Sequence, residues 1–358
     1  MKKITCLFIV MLLASCGSEP TLEQKLLSVD QIFSEYDSPD LPGAAVMIIQ
    51  DGKLILQKGY GTAYFEESRP VSAKSNFRLA SVTKQFTAMS VLQLIERGEL
   101  ALDTTINDIF PDFPDYGNTI TIDHLLKHTS GIQDYEGMVP DDQVIQVKDK
   151  DVLGYMMNVD GTYFSVGEKY QYSNTAYAIL TQIIEEVSGQ PFRDYLKDNI
   201  FDPLEMNNTL AYENGINEVP ERAYGYTIEE TGVVLTDQSK WSAVLGDGGI
   251  YSNLEDLYKW DQALYTTELL GQEFLELAFT NHTNNAGEKI DYGYGWRLET
   301  YKGLDIIYHT GSSIGFRNIL YRIPSQNFSA VILTNRDAGS EFSTLATVHK
   351  VVDVFFNQ

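Results

Sequence analysis

The pattern of apolar and polar positions divides the start of the chain into clear elements. Apolar residues at helical spacing predict one helix over 21–36 and a second from about Ser81 to Arg97. Between these helices, residues 44–50 and 53–60 are predicted to form two β-strands. Asp51-Gly52 separates the strands, and this dipeptide is a strong signal for a tight hairpin. The chain therefore begins with a helix, a β-hairpin and another helix.

The pattern changes after residue 100 and changes back towards the C-terminus. From about 101 to 220 the strand signal fades, and short helical pieces such as 123–127 and 175–188 alternate with loops rich in Pro, Gly and Asp. A last amphipathic helix is predicted over 341–356. Strands return after residue 285, and they are predicted over 295–301, 305–309, 316–323 and 329–334.

This order of elements predicts an α/β protein of the α+β kind. An antiparallel sheet flanked by helices would be built from both chain ends, with residues 41–100 and 221–358 in one α/β domain. Residues 101–220 would form a mostly helical inserted domain. A sheet interrupted by such an insert implies an active site at the seam between them.

The first twenty residues carry a targeting pattern. Two lysines precede an apolar run over 4–14 that is too short to span a bilayer. The four residues that end at Cys16 are similar to the lipobox of bacterial lipoproteins, which implies a signal peptide over 1–15 and lipidation of Cys16. A lipidated tether and the first helix would then occupy 16–40. We expect an exported lipoprotein, anchored on the periplasmic or cell-surface side of a membrane; the alternative is an ordinary secretory signal.

Charge and cysteine content narrow the possible ligands. The formal net charge is −24, so the chain repels anionic polymers and we expect no nucleic acid partner. An anionic small substrate is still possible, because a pocket can carry its own cations. Cys6 would leave with the signal, so Cys16 would be the one cysteine of the mature protein and no internal disulfide could form. The five histidines show no metal-ligand spacing, so we expect neither a metal nor a cofactor.

A serine and a lysine three residues apart begin the second predicted helix. Positions i and i+3 share a helix face, so the amine of Lys84 is expected beside the hydroxyl of Ser81. A serine hydroxyl becomes a good nucleophile when a neighbouring base takes its proton, and a lysine can do so where its surroundings favour the neutral amine. The alternative is a capping serine beside a solvated lysine.

Longer stretches resemble one protein family. Residues 77–87, FRLASVTKQFT, resemble the nucleophile segment of the serine β-lactamase and penicillin-binding-protein superfamily. Residues 125–131, LLKHTSG, match the "LLxHTSG" loop of the branch that holds class C β-lactamases, DD-carboxypeptidases and related esterases. Residues 246–252, GDGGIYS, match the "GxGGxxS" segment of the same branch. The resemblance spans roughly 40–335 and implies a β-lactamase/DD-peptidase-like fold.

Tyr-x-Asn is the second motif of this family, and the sequence offers four matches. Context selects Tyr172-Ser173-Asn174, which follows the usual lead-in over 164–168 and precedes a helical run over 176–187. The other matches begin at Tyr116, Tyr212 and Tyr251.

The third motif is His309-Thr310-Gly311, which is predicted to end one strand just before the next. Most class C β-lactamases carry lysine where this chain has His309, whereas histidine is more similar to certain DD-carboxypeptidases. This departure argues against efficient β-lactam turnover.

The resemblance implies a role for each motif residue. Ser81 would attack the carbonyl and form an acyl-enzyme, while Lys84 and Tyr172 share the proton transfers, and either can be the general base. His309 is expected to polarise Tyr172 and to keep the pocket positive, less strongly than a lysine because imidazole is mostly neutral at pH 7. The residues expected to bind substrate are Asn174, Thr310, Gly311 and Ser312.

Two further groups complete the implied site. The family binds the tetrahedral oxyanion with two backbone N–H groups, which here would be those of Ser81 and Ser312. Thr310 can donate to a substrate carboxylate. Arg317 is a weaker candidate for that carboxylate and is equally well explained as a solvated strand arginine.

The leading hypothesis is a serine hydrolase that cleaves an amide or ester, most similar to a DD-carboxypeptidase acting on a cell-wall stem peptide. An esterase, a D-aminopeptidase or amidase and a weak class C-like β-lactamase stay open, since resemblance of fold does not choose among them. A hypothesis of another class is a non-catalytic lipoprotein that binds β-lactams or wall fragments. In a third, the polar residues of the motifs are no more than caps and turns.

Overall fold

The computed structural model describes residues 20–337 and 343–356. The predicted signal peptide over 1–15 and the predicted lipidation site at Cys16 lie outside these residues. In the described part of the chain, no helix combines the length and the apolar composition that crossing a bilayer requires.

Strands and helices are interspersed along the chain. The β-strands are β1 (Ala44–Gln50), β2 (Lys53–Tyr60), β3 (Thr62–Tyr64), β4 (Arg69–Pro70), β5 (Phe77–Arg78), β6 (Leu210–Ala211), β7 (Tyr226–Glu229), β8 (Gly232–Leu235), β9 (Ile250–Ser252), β10 (Arg297–Tyr301), β11 (Leu304–Ser313), β12 (Phe316–Ile323), β13 (Phe328–Thr334) and β14 (Arg336–Asp337). The α-helices are α1 (Leu22–Ile32), α2 (Lys84–Glu96), α3 (Ile106–Ile109), α4 (Ile122–Leu126), α5 (Asp149–Met156), α6 (Asn174–Ser188), α7 (Phe192–Leu196), α8 (Leu245–Gly248), α9 (Leu254–Ala263), α10 (Gln272–Ala278) and α11 (Thr344–Phe356).

Six strands form one antiparallel sheet in the order β10-β11-β12-β13-β1-β2. Its centre joins the two ends of the chain, because β1 pairs with β13 along its whole length. The prediction of an antiparallel sheet built from both chain ends and flanked by helices is therefore confirmed. β1 and β2 have the predicted bounds, and Asp51 and Gly52 both have positive φ, as a type I′ hairpin turn requires.

The strand that carries the third motif is longer than its sequence predicts. The predicted end at His309 is wrong, because β11 continues to Ser313 and pairs with β12 over Ile307–Ser313. On its other side β11 pairs with β10 over Leu304–Tyr308 alone. The motif therefore lies in a strand segment whose second edge is not covered by β10.

The sheet separates two hydrophobic cores. Successive side chains of a strand point to opposite faces, and both faces of β1 are buried. Val46 and Ile48 pack in one core with apolar residues of α1 and α11, whereas Met47 and Ile49 belong to a larger core with residues of α2 and α9. Burial on both faces explains why this strand is a continuous apolar run in the sequence.

Helices α3–α7 fill the segment between the two sheet-forming parts of the chain, and α6 is the central helix of that segment. The hydroxyl of Ser173 accepts a hydrogen bond from Ala176 N at 3.1 Å and caps the start of α6, and Gly189, with φ of +69°, ends it. The buried face of α6 packs against α2, α4 and α5. The boundaries assigned to an inserted domain stay a prediction.

A buried ion pair ties α9 to the sheet. Arg322 Nε of β12 donates to Asp261 Oδ1 at 3.0 Å, and both side chains are at most 2% exposed. Ser329 of β13 donates to the same carboxylate oxygen at 2.7 Å. A charge buried in an apolar core is destabilising without its counter-ion, so loss of either partner should lower the free energy of unfolding strongly.

We predict that Asp261→Ala lowers the free energy of unfolding by about 3–5 kcal/mol, because it leaves the guanidinium of Arg322 buried without its counter-ion. Urea denaturation measures the change. The matched control is Asp202→Ala, which removes one partner of the exposed Lys197–Asp202 ion pair and should cost less than about 1 kcal/mol. Equal losses for the two variants would contradict this account of the core.

Candidate active site

Ser81 lies in a short 3-10 turn, Ala80–Thr83, that leads directly into α2. The preceding residue, Ala80, has φ of +51°, a left-handed conformation that costs a non-glycine residue roughly 1–3 kcal/mol and is concentrated at functional sites. The side chain of Ser81 lines a cavity of about 390 Å³. The turn thus presents the hydroxyl at a cavity wall.

Lys84 begins α2 and is completely buried. Its Nζ lies 2.8 Å from Asn174 Oδ1, 2.9 Å from the carbonyl oxygen of Asp247 and 3.4 Å from Ser81 Oγ. An ammonium has three protons to donate, and these three oxygens accept them. The arrangement therefore brings the predicted Ser81, Lys84 and Asn174 together around one buried cation.

The ring of Tyr172 also lies close to this cation. Lys84 Nζ is 4.9 Å from the centroid of the Tyr172 ring, and the guanidinium carbon of Arg297 is 5.5 Å from the same centroid. The phenolic oxygen of Tyr172 is buried, and within residues 20–337 and 343–356 it has no hydrogen-bond partner. The ring of Tyr172 therefore lies close to two cations, and its buried oxygen is not committed to another group of the described residues.

His309 has different partners from those expected. Its Nδ1 donates to the carbonyl oxygen of Thr310 at 2.7 Å, so Nε2 is an acceptor and receives the hydroxyl of Tyr292 at 3.0 Å. The ring centroids of His309 and Tyr172 are 6.0 Å apart. Burial, together with nearby Arg297 and Lys84, lowers the pKa of His309 well below its ordinary value, so the imidazole is neutral. His309 therefore packs beside Tyr172 without adding positive charge to it.

Arg297 supplies the charge that the sequence analysis assigned to His309, and that analysis missed it. It is the first residue of β10 and pairs with Tyr308, one position before the third motif. Its hairpin position opposite the motif strand is the signal that could have identified it, but the register of that hairpin is known only from the fold.

Gly311 allows β11 to lie directly against the turn that carries Ser81. A Cβ atom at this position would be 2.0 Å from the carbonyl oxygen of Leu79, so a larger residue would push the strand away. Ser312 follows and lines the cavity with Ser81. Thr310 is half-buried in the same strand segment. Arg317 also lines the cavity, and its partly exposed guanidinium forms an ion pair with Asp337 at 2.6 Å.

Two acidic side chains that the sequence analysis did not select line the same cavity. Glu136 accepts a hydrogen bond from Asn174 Nδ2 at 2.9 Å, and Asp247 accepts one from the hydroxyl of Tyr135 at 2.9 Å. Burial raises the pKa of Asp247 to about 6 and also raises that of Glu136. Two carboxyl side chains therefore line the same cavity as Ser81.

The described residues include no group of three or more His, Cys, Asp or Glu side chains placed to hold a metal ion.

The fold and this constellation define a serine hydrolase class in which a serine in a turn is followed by a lysine one helical turn later. The chain belongs to the β-lactamase family, because the model of that family, described as Beta-lactamase, matches residues 29–352.

Relatives agree with this assignment. Penicillin-binding protein 4* of Bacillus subtilis is 35% identical over 339 residues, which cover 89% of this chain and 74% of the relative. Among solved structures, an octameric penicillin-binding protein homologue from Pyrococcus abyssi is 26% identical, with a TM-score of 0.78 over 93% of this chain and 76% of the other. A D-amino acid amidase from Ochrobactrum anthropi SV3 shares the fold, with a TM-score of 0.78 at 24% identity over 92% of this chain and 98% of the other.

We predict that His309→Gln changes the pH dependence of stability. Unfolded His309 takes up a proton below pH 6.5 and the folded protein does not, so the wild type loses stability as the pH falls through this value. Relative to the variant, the wild type should lose about 2 kcal/mol between pH 6.5 and pH 5. Urea denaturation at several pH values measures this, and a difference that is constant with pH would show that His309 takes up its proton equally in the folded and the unfolded protein.

Proposed function

We propose that the protein is a serine hydrolase that cleaves an amide or ester bond through an acyl-enzyme at Ser81, and that its activity is most like that of a DD-carboxypeptidase. The observation that carries the proposal is the buried Lys84 Nζ, which contacts Ser81 Oγ and Asn174 Oδ1 and lies against Tyr172. Caps and turns alone do not require a buried cation at the meeting point of these residues.

In the proposed acylation, Tyr172 takes the proton of Ser81 as Oγ attacks the substrate carbonyl. Lys84 already donates to three acceptors, so its role is to provide positive charge beside the Tyr172 phenolate that takes the proton. Arg297 adds a second positive charge on the same ring. Tyr172 then returns the proton to the leaving amine or alcohol, and the serine is left as an ester.

The oxyanion of the tetrahedral intermediate would be bound by backbone N–H groups. Ser81 and Ser312 line the same cavity from the turn and from β11, so their amides are the candidates. Asn174 orients the acyl group, and Thr310 donates to the carboxylate of a peptide leaving group. In the second half of the reaction, water attacks the ester with Tyr172 as the base, which releases the acid and regenerates Ser81.

A peptide substrate of the cell-wall type is supported by the relatives, since the one from Bacillus subtilis is named a penicillin-binding protein. The neutral His309, where a lysine would carry charge, supports slow rather than efficient release of a bound β-lactam.

A second candidate activity, hydrolysis of D-amino acid amides or peptides with a free amine, is favoured by Glu136. Its carboxylate lines the cavity and is hydrogen-bonded to Asn174, the residue proposed to orient the acyl group. An α-ammonium on the acyl group would find an anionic acceptor there, whereas an N-acylated peptide would not.

We predict that excess penicillin converts the protein into a penicilloyl adduct and that Ser81→Ala forms none. Intact-mass spectrometry after a brief exposure measures both. The control is Ser313→Ala, a second serine of the same cavity, which should form the adduct like the parent. Tyr172→Phe should slow acylation at least a hundredfold, because it removes the proton acceptor.

An adduct on Ser81→Ala would overturn the mechanism. Binding of penicillin without any covalent adduct on the parent would favour the non-catalytic lipoprotein.

We predict that Glu136→Gln weakens any preference for substrates with a free amine. D-Alanine p-nitroanilide and its N-acetyl derivative form the test pair, and their kcat/KM values are compared in parent and variant. Loss of a charge-assisted hydrogen bond should reduce the ratio roughly tenfold or more. The control is Glu186→Gln on the exposed surface of α6. An unchanged ratio in Glu136→Gln would remove the support for an amine-binding site.

A further inference from the structure

His128 is a buried residue at the site that the proposed chemistry does not use. It follows α4 in the LLKHTSG segment, is 0% exposed and has φ of +59°. The buried side chain of His128 has no access to water, and its left-handed backbone conformation costs free energy. Its contacts within the protein must therefore explain its position.

The contacts of His128 are directed to both neighbours of Tyr172. Its backbone carbonyl accepts a hydrogen bond from Gln171 N at 2.9 Å, and its Nδ1 accepts one from Ser173 N at 3.1 Å. Its ring packs on the ring of Tyr172, with centroids 4.4 Å apart and an angle of 36° between the planes. One residue therefore holds the backbone on each side of Tyr172 and one face of its ring.

The rest of the same loop holds the segment that leads to Tyr172. Thr129 O accepts from Gly167 N at 2.8 Å, and Gly131 O accepts from Tyr163 N at 2.7 Å. Several backbone hydrogen bonds thus connect this loop to the segment that leads to Tyr172. What His128 adds is a side-chain acceptor at the residue that follows the phenol.

The imidazole must be neutral to accept through Nδ1. Burial is the main reason that the pKa of His128 lies well below its ordinary value, and Lys84, His309 and Arg297 contribute to the same shift. The proton of the neutral ring then sits on Nε2. The neutral ring thus keeps Nδ1 as an acceptor for Ser173 N.

We propose that His128 is a positioning residue for Tyr172: its Nδ1, which accepts from the backbone N–H next to the phenol, holds the phenolic oxygen where it exchanges protons with Ser81. This inference rests on the proposed function, in which Tyr172 carries the proton. Small displacements of a catalytic group are costly, since about 1 Å can reduce a rate on the order of a hundredfold.

Asparagine and glutamine variants separate positioning from simple filling of the core. Asn Oδ1 is as many bonds from Cα as His Nδ1, and asparagine tolerates a left-handed backbone. Glutamine keeps a polar side chain of similar length but has no acceptor at that distance. His128→Asn should therefore replace the bond to Ser173 N, and His128→Gln should lose it.

The test measures kcat and KM for p-nitrophenyl acetate in parent, His128→Asn, His128→Gln and Tyr172→Phe, and in the double variant of His128→Gln with Tyr172→Phe. We expect His128→Gln to lower kcat at least tenfold with KM within about twofold, and His128→Asn to stay within about threefold of the parent. In the Tyr172→Phe background, His128→Gln should cost nothing further, because the group that it positions is gone.

Each outcome decides between positioning and its alternatives. Additive losses in the double variant, or a kcat of His128→Asn as low as that of His128→Gln when both keep the thermal midpoint of the parent, would overturn the positioning role. If His128→Gln does not fold, the rate of His128→Asn decides alone: a folded His128→Asn at less than a tenth of the parental kcat overturns the proposal.

If Tyr172→Phe or Ser81→Ala hydrolyses the ester like the parent, the proposed function itself fails. If both are inactive and His128→Gln matches the parent, this inference alone fails.

Discussion

The buried charge of Lys84 is the constraint on which the arrangement of the site depends. A cation without access to water must be surrounded by acceptors, or its burial costs several kcal/mol. Its acceptors come from three separate segments: the turn with Ser81, the first residue of α6 at Asn174, and the backbone of Asp247. The lysine thus fixes these three segments relative to one another, and this arrangement determines the position of the nucleophile, Ser81.

The segment that supplies the third acceptor is itself held from behind. The carboxylate of Asp149 accepts from Leu245 N at 2.7 Å and from Gly246 N at 3.1 Å. Gly246 can have no side chain, because a Cβ atom there would be 1.7 Å from Thr181 Oγ1. The glycine-rich motif is therefore explained by close packing against α6, which lets a backbone carbonyl reach the lysine.

Motif residues could be predicted from the sequence because their chemistry depends on local spacing. Ser81 and Lys84 are one helical turn apart, so short-range geometry brings their side chains together, whereas Asn174 was selected through resemblance to the family motif. Arg297 and Glu136 were missed because their positions depend on tertiary structure. The register of β10 against β11 places Arg297 at the site, and the course of a loop places Glu136 there. His309 was expected to act on Tyr172, and this was wrong for the same reason. Its ring is hydrogen-bonded to Tyr292, a completely buried residue of the segment between α10 and β10.

The position of the nucleophile depends on the sheet as much as on α2. Asn318 of β12 is completely buried; its Nδ2 donates to the carbonyl oxygen of Arg78 at 2.7 Å, and its Oδ1 accepts from Thr334 N at 3.1 Å. This side chain connects two central strands to the residue that comes three positions before Ser81. Gly311 brings the next strand against Leu79 in the same stretch. Because strands from the C-terminal part of the chain hold the backbone just before the serine, the strained φ of Ala80 is maintained by tertiary contacts, and the turn would relax without them.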